Sequence, residues 1–160
     1  MLAGGRYTEF AATSLGMLRE MGSKLPVEVW SKDESEEING FCDEIRAEGM
    51  ACRRLADYMD LSLLRHPYQW KIFTILFSSF EEVLFLDADS MPIMNPDFIF
   101  DSDVYKENGA ILWPDYWKHS GSPWLPYVIG LSEQRSDMFQ EEKSIESGQI
   151  YWHKQKHWKV

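Results

Sequence analysis

The order of apolar and polar positions along the chain reads as helix and strand in alternation. Residues 9–21 set Phe10, Ser14, Met17, Leu18 and Met21 at helical spacing, and Gly22 stops the run. Residues 26–31, Pro-Val-Glu-Val-Trp-Ser, alternate as a short strand does. Residues 34–47 put Ile38, Phe41, Cys42 and Ile45 on one stripe, which predicts an amphipathic helix. A second short strand is expected over residues 50–55. Pro67 suits the first position of a third helix, with Trp70, Phe73, Leu76, Phe77 and Phe80 turned inward. The unbroken apolar run Val83-Leu84-Phe85-Leu86, flanked by Glu81 and Glu82, predicts a buried strand. Asn95-Pro96-Asp97 marks a turn. Residues 109–113 predict another apolar strand, ending at Pro114-Asp115, and residues 144–152 a strand or hairpin containing Ser147-Gly148. This pattern predicts an α/β sheet with helices on its faces.

Two features are unusual for a whole domain. The first helix has no strand ahead of it, although Gly4-Gly5-Arg6-Tyr7 reads as a loop leaving one. The sequence also stops at Lys159-Val160, inside an apolar run. The expectation is one partial domain over residues 1–160, lacking its N-terminal strand and a C-terminal portion; the alternative is a short domain that simply ends there. The length fits one domain. A net charge of −10 argues against sequence-independent binding of nucleic acid, which needs a basic surface. Glu28, Asp33, Glu34, Glu36, Glu37, Asp43, Glu44 and Glu48 concentrate the acidity, and a solvated helix face is the expected reading. Cys42 and Cys52 form neither a disulfide framework nor a zinc-binding spacing. A free buried thiol is expected at Cys42, with a bridge to Cys52 as the alternative. No run of 18 apolar residues and no signal-peptide pattern is present, so no membrane span is expected within this sequence.

Candidate chemistry concentrates where the buried strand ends. Asp87 and Asp89 follow Leu86 directly, at the carboxyl end of a strand, where open α/β sheets bind ligands. Period-two geometry puts both side chains on one side of the chain. Two carboxylates so close repel unless a cation lies nearby. Oxygen ligands suit a hard cation such as Mn2+ or Mg2+, whose remaining positions go to water and substrate phosphates. The physical reading is a metal–diphosphate site. Asp89 is expected to ligate the metal directly, and Asp87 to reach it through water or to contact a ribose. Lys71 is a lone cation on an apolar helix and suits a contact to phosphate or donor sugar; snorkelling to solvent is the alternative. Arg6 follows two glycines that let backbone approach a ligand, so a phosphate or base contact is expected, with a frayed terminal arginine as the alternative. Trp113, Tyr116, Trp117 and Trp124 suit stacking on pyranose rings, but aromatics at this density are expected in the core. His153 and His157 are expected on the surface or in packing rather than on a metal.

Six blocks resemble the fungal α-mannosyltransferase family that builds branched mannan in the Golgi. They are Gly4-Gly5-Arg6-Tyr7, Gly22-Ser23-Lys24-Leu25-Pro26-Val27-Glu28-Val29, Tyr68-Gln69-Trp70-Lys71, the run Phe77 to Asp89, Leu112-Trp113-Pro114-Asp115-Tyr116-Trp117 and Glu146-Ser147-Gly148-Gln149. Their order and spacing match along almost the whole chain. The resemblance implies a GT-A type (Rossmann-like) sheet, GDP-mannose as donor, a mannose-containing glycan as acceptor, Mn2+, and retention at the anomeric carbon. It also implies a lumenal Golgi enzyme held by an upstream membrane anchor that this sequence lacks, and a downstream Gly-Asp-Lys-Glu segment with a third metal ligand. By resemblance, Asp115 contacts a sugar hydroxyl; a turn-forming role is the alternative. Glu146 lies near the anomeric centre, Gly148 lets backbone approach the sugar, and Gln149 hydrogen-bonds the donor; an ordinary polar hairpin is the alternative. Ser90 stands where many members carry Asn.

Two other functions compete. A haloacid dehalogenase-like phosphatase also has an apolar strand followed by Asp-x-Asp, and would use Asp87 as nucleophile. Met91 occupies the place of its usual Thr or Val, and the motif lies mid-chain rather than near the start. The remaining alternative is an inactive fragment of a transferase.

Overall fold

A computed structural model describes residues 1–37, 40–118, 122, 124–128, 130 and 143–158. In chain order the elements are α1 Thr8–Glu20, β1 Glu28–Ser31, α2 Phe41–Ala47, β2 Ala51–Arg54, α3 Gln69–Phe77, β3 Glu82–Leu86, α4 Phe98–Asp101, α5 Asp103–Asn108, β4 Ala110–Lys118, α6 Leu125–Val128, β5 Lys143–His153 and α7 Lys154–His157. The chain forms two compact units: Met1–Ile111 with Gly148–Val160, and Leu112–Ser147.

The first unit is built on mixed β structure. β1 pairs with β2 in parallel, Glu28 opposite Ala51 and Ser31 opposite Arg54. β3 pairs with β5 antiparallel, Glu82 opposite His153 and Leu86 opposite Gln149, in the order β3-β5-β4. Leu2 forms parallel bridges both to Trp30 of β1 and to Asp87 just past β3. The Ala3 N–H donates to the Trp30 carbonyl at 2.7 Å, and the Trp30 N–H to the Met1 carbonyl at 2.9 Å. Residues 1–3 thus pair with the backbone of β1 and of the segment just past β3.

Successive residues of β1 face opposite sides. Val29 joins Ala11 and Leu15 of α1, Ile45 of α2, Ala3, Met50 and Ala88 in one buried cluster. Trp30, next along, meets Tyr58 at 5.1 Å between ring centroids, and Tyr58 stacks on Phe77 of α3 at 5.5 Å. α1 and α2 thus cover one face of β1 and α3 the other, as the α/β pattern predicts.

Several elements differ from the sequence reading. α1 buries Thr8, Ala11, Ser14, Leu15 and Leu18 and leaves Phe10 exposed, because small Ala11 is what fits against Ala3 and Ala88. The helix expected over 34–47 begins only at Phe41, after Gly40 at φ 88°, a left-handed conformation that a side chain disfavours. Residues 34–36 form a single 3-10 turn whose cap, Asp33, accepts from the Ser35 N–H at 2.9 Å; Ile38 lies outside the described residues. Cys42 and Cys52 are joined in a disulfide that ties α2 to β2, so the free thiol expected at Cys42 is corrected.

The acidic run is not one solvated face. Glu28 is buried in β1 and accepts from Trp30 Nε1 at 3.2 Å and Ser79 Oγ at 2.8 Å, with Arg53 at 3.3 Å. Pro67 lies two residues ahead of α3 rather than at its first position, and Leu76 of that helix is exposed. β4 runs through Pro114 and Asp115 rather than ending there; it lies at the edge of its sheet, where the missing N–H of a proline costs no ladder bond. β5 passes straight through Ser147 and Gly148, so the hairpin alternative is corrected.

Candidate functional site

β3 delivers the acidic pair. Val83, Phe85 and Leu86 anchor it in the core, and Ala88 is buried between the two carboxylates. Asp87 and Asp89 flank it, the first half-buried and the second exposed. The turn that follows is tightly braced. The Ser90 N–H donates to the Asp87 carbonyl at 3.0 Å and the Asp87 N–H to the Gly148 carbonyl at 2.9 Å. Ser90 Oγ donates to the same Gly148 carbonyl at 3.1 Å. Ser14, buried on α1, donates its hydroxyl to the Ser90 carbonyl at 2.6 Å. The acidic loop is thereby tied to α1 on one side and β5 on the other.

The loop opens into a cleft of about 620 Å³, within the size range of small-ligand sites. Its walls come from Gly4, Arg6 and Tyr7 in the turn before α1, from Glu36, from His66, Tyr68, Trp70 and Lys71 at the start of α3, and from Asp87 and Asp89. Gly4 packs closely on Glu36: a Cβ there would lie 2.7 Å from Glu36 Oε2 and 3.0 Å from Glu36 Cβ, so that side chain would have to shift. Arg6 lies over the Tyr7 ring, 4.9 Å from its centroid, and its Nη2 donates to the Tyr7 hydroxyl at 2.9 Å. The His66 and Tyr68 rings meet at 4.6 Å.

Arg6, Lys71, Asp87 and Asp89, assigned from sequence to donor and metal, therefore share one cavity. Lys71 is turned into the cleft rather than out to solvent. Its ammonium forms an ion pair with Asp87 Oδ2, half-buried, at 5.9 Å from the centroid of the Phe85 ring. Asp89 is exposed to the cleft.

Two carboxylates are a partial shell for a metal; the described residues hold no group of three or more His, Cys, Asp or Glu suited to one. That donor set fits Mn2+ or Mg2+, which bind through one or two carboxylates and complete their octahedron with phosphate oxygens and water. With Arg6, Lys71, Asp87, Asp89 and Glu36, the cleft carries two cations and three carboxylates. A cation and a diphosphate entering together leave that balance nearly undisturbed.

The other candidates lie elsewhere. Gln149 sits opposite Leu86, bonds to Tyr151 and does not line the cleft. Tyr151 is buried, donates to the Pro96 carbonyl at 3.0 Å, and burial pushes its hydroxyl pKa up to about 12. Gly148 serves the loop through its carbonyl. Asp115 and Glu146 belong to the second unit: Asp115 is part of β4 and accepts from the Tyr116 N–H at 2.6 Å, and Glu146 is exposed on β5. In the same unit Tyr116, Trp117 and Trp124 are 90%, 69% and 73% exposed, which corrects the expectation that they build the core. His153 faces Glu81 and Glu82 at 3.9 and 3.6 Å, and His157 Nε2 lies 2.9 Å from the Asn108 carbonyl, consistent with packing roles.

The sequence reading missed Ser14 as a brace and the aromatic wall of Tyr7, His66, Tyr68 and Trp70. A signal for the first was present: a serine on the apolar stripe of a helix must find a partner when buried.

A mannosyltransferase family model matches residues 1–159. The chain belongs to this family. Among its relatives, an α-1,2-mannosyltransferase of Candida albicans, MNN2, is 38% identical over 136 residues, covering 82% of this chain and 23% of the relative. MNN22 of the same organism is 31% identical over 99% of this chain and 33% of its own length. The α-1,2-mannosyltransferase MNN5 of Saccharomyces cerevisiae is 33% identical over 82% of this chain and 23% of its own. The chain thus spans between about a quarter and a third of the length of these relatives. Membership of the family leaves the phosphatase alternative unsupported. No helix among the described residues is long and apolar enough to cross a membrane.

Proposed function

We propose that the chain is the donor-binding part of a metal-dependent, retaining mannosyltransferase of GT-A type. It takes GDP-mannose as donor, and the whole protein transfers mannose to a mannose-containing glycan. The observation that carries this reading is the opening of Asp87 and Asp89 into one cleft with Arg6 and Lys71. Mn2+ or Mg2+, when bound, supplies positive charge to the diphosphate leaving group. Asp89, exposed in the cleft, presents carboxylate oxygens to the cation, and Asp87 supports it from the base of the loop. Arg6 and Lys71 hold phosphate oxygens, and the aromatic wall receives the flat base or the sugar face. In the reaction the bond from the mannose C1 to the β-phosphate oxygen breaks, and one to an acceptor hydroxyl oxygen forms. GDP departs and the acceptor loses its proton.

For Asp115 and Glu146 we keep the roles the family resemblance implies, a sugar-hydroxyl contact and stabilisation of charge at the anomeric centre. Gln149 lies outside the cleft lining and takes no part in this reading. The disulfide between Cys42 and Cys52 supports a lumenal Golgi setting, since disulfides persist in oxidising compartments. Membrane attachment would come from an anchor outside this sequence.

Calorimetric titration tests the reading. GDP-mannose with Mn2+ should bind the chain, and Asp89→Ala should weaken binding about a hundredfold, the scale of losing a charge-assisted contact. Unchanged affinity in Asp89→Ala would contradict the site.

A further inference from the structure

We infer that Lys71 is an exchangeable counter-ion: it neutralises Asp87 while the cleft is without ligand, and passes to the diphosphate when cation and nucleotide bind together. The inference rests on the metal–diphosphate reading above and deepens it.

The geometry calls for such a group. Asp87 and Asp89 line one cleft on a loop that Ser14, Ser90 and Gly148 brace, so backbone movement does not readily separate the two charges. Asp87 is the more enclosed of the two, with its side chain only 24% exposed. A carboxylate so placed needs a cation beside it. Lys71 provides it from α3, which lines the same cleft.

A divalent cation arriving beside Asp87 and Asp89 would find that ammonium already in place, and the two positive charges repel. Once a diphosphate is present, it becomes the new partner for the ammonium. A lysine suits this exchange: its ammonium is a compact charge with rotatable donors on a flexible four-carbon stem, whereas a guanidinium fork would hold a carboxylate rigidly. The Phe85 ring beneath the amine offers a weak cation–π contact along the way. In this account Lys71 makes the binding of cation and nucleotide interdependent, disfavouring the cation alone and favouring the pair.

The test compares Mn2+ alone with Mn2+ plus GDP by calorimetry, in the unmodified chain, Lys71→Met, Lys71→Gln and Asp89→Asn. Lys71→Met should bind Mn2+ alone about tenfold more tightly, because a nearby positive charge is gone. The same variant should bind GDP in the presence of Mn2+ about tenfold more weakly, because a phosphate contact is gone. Lys71→Gln should follow the same signs and serves if the methionine variant does not fold. The opposition of sign is the signature. A shift of both affinities in one direction would show a fixed counter-ion and overturn the exchange, as would no change in either. In both of those cases, loss of Mn2+–GDP binding in Asp89→Asn leaves the site reading standing. Unchanged binding in Asp89→Asn would remove that reading and the inference with it. In the unmodified chain, the Lys71 ammonium resonance should move on adding Mg2+ with GDP; its failure to move would also overturn the exchange.

Discussion

Ser90 has a larger role than its place in the motif suggests. Its hydroxyl and carbonyl join three segments that are far apart in sequence, and they do so directly behind Asp89. Ser90→Ala should lower stability by about 1 kcal/mol, the usual worth of one hydrogen bond, and weaken Mn2+–GDP binding several-fold by loosening the loop. Denaturant midpoints and calorimetry on the one variant separate the two effects. The position of Asp87 at the end of β3 was legible in the sequence because the apolar run that leads to it is a local pattern. Ser90 was not, since its partners are set by tertiary packing. Glu28 was misread for the same reason: in a run of acids it looks solvated, yet all four residues of β1 are buried. Glu37 offers a pH test. Arg54 donates to it at 2.6 and 3.0 Å and holds its carboxyl below the ordinary value of 4.5. The stabilisation is therefore present above the unfolded value and lost as pH falls through the folded one. Glu37→Gln should lower stability slightly at pH 7, and the gap to the parent should narrow as pH falls below the ordinary carboxylate value.

Strands were read with more success than helix boundaries. β1, β2 and β3 fall within a residue or two of their expected places because apolar alternation or continuity marks them directly. The start of α2 was not legible, since it depends on the left-handed turn at Gly40. Nor was the course of β4 past Pro114, since only the sheet order shows that the proline lies on an edge. The disulfide is the strongest tie between elements, closing a separation of 10 residues between α2 and β2. Reduction, or replacement of Cys42 and Cys52 together by serine, should lower stability by about 2–3 kcal/mol, on the loop-closure estimate. Urea unfolding with and without reductant measures it. No shift of the midpoint would mean that the pair does not constrain the unfolded chain.

For the molecule as a whole, the α/β class follows from the alternating pattern, and the structure adds the parallel and antiparallel pairings and the division into two units. Neither can be read from periodicity, because register and sheet order are set by contacts distant in sequence. The same division explains how the candidate residues sort. Arg6 before α1, Lys71 on α3 and the Asp87–Asp89 loop, all in the first unit, gather in one cleft, whereas Asp115 and Glu146 belong to the other unit. The central claim is that the loop after β3 holds a cation against a sugar nucleotide's diphosphate. A crystal of the chain grown with Mn2+ and GDP, measured for the anomalous signal of manganese, tests it most directly. The account predicts a manganese peak within ligating distance of the Asp89 carboxylate, with the diphosphate against it in the same cleft and the Lys71 ammonium on a phosphate oxygen. Nucleotide bound outside the cleft, or manganese absent from both Asp87 and Asp89, would contradict it.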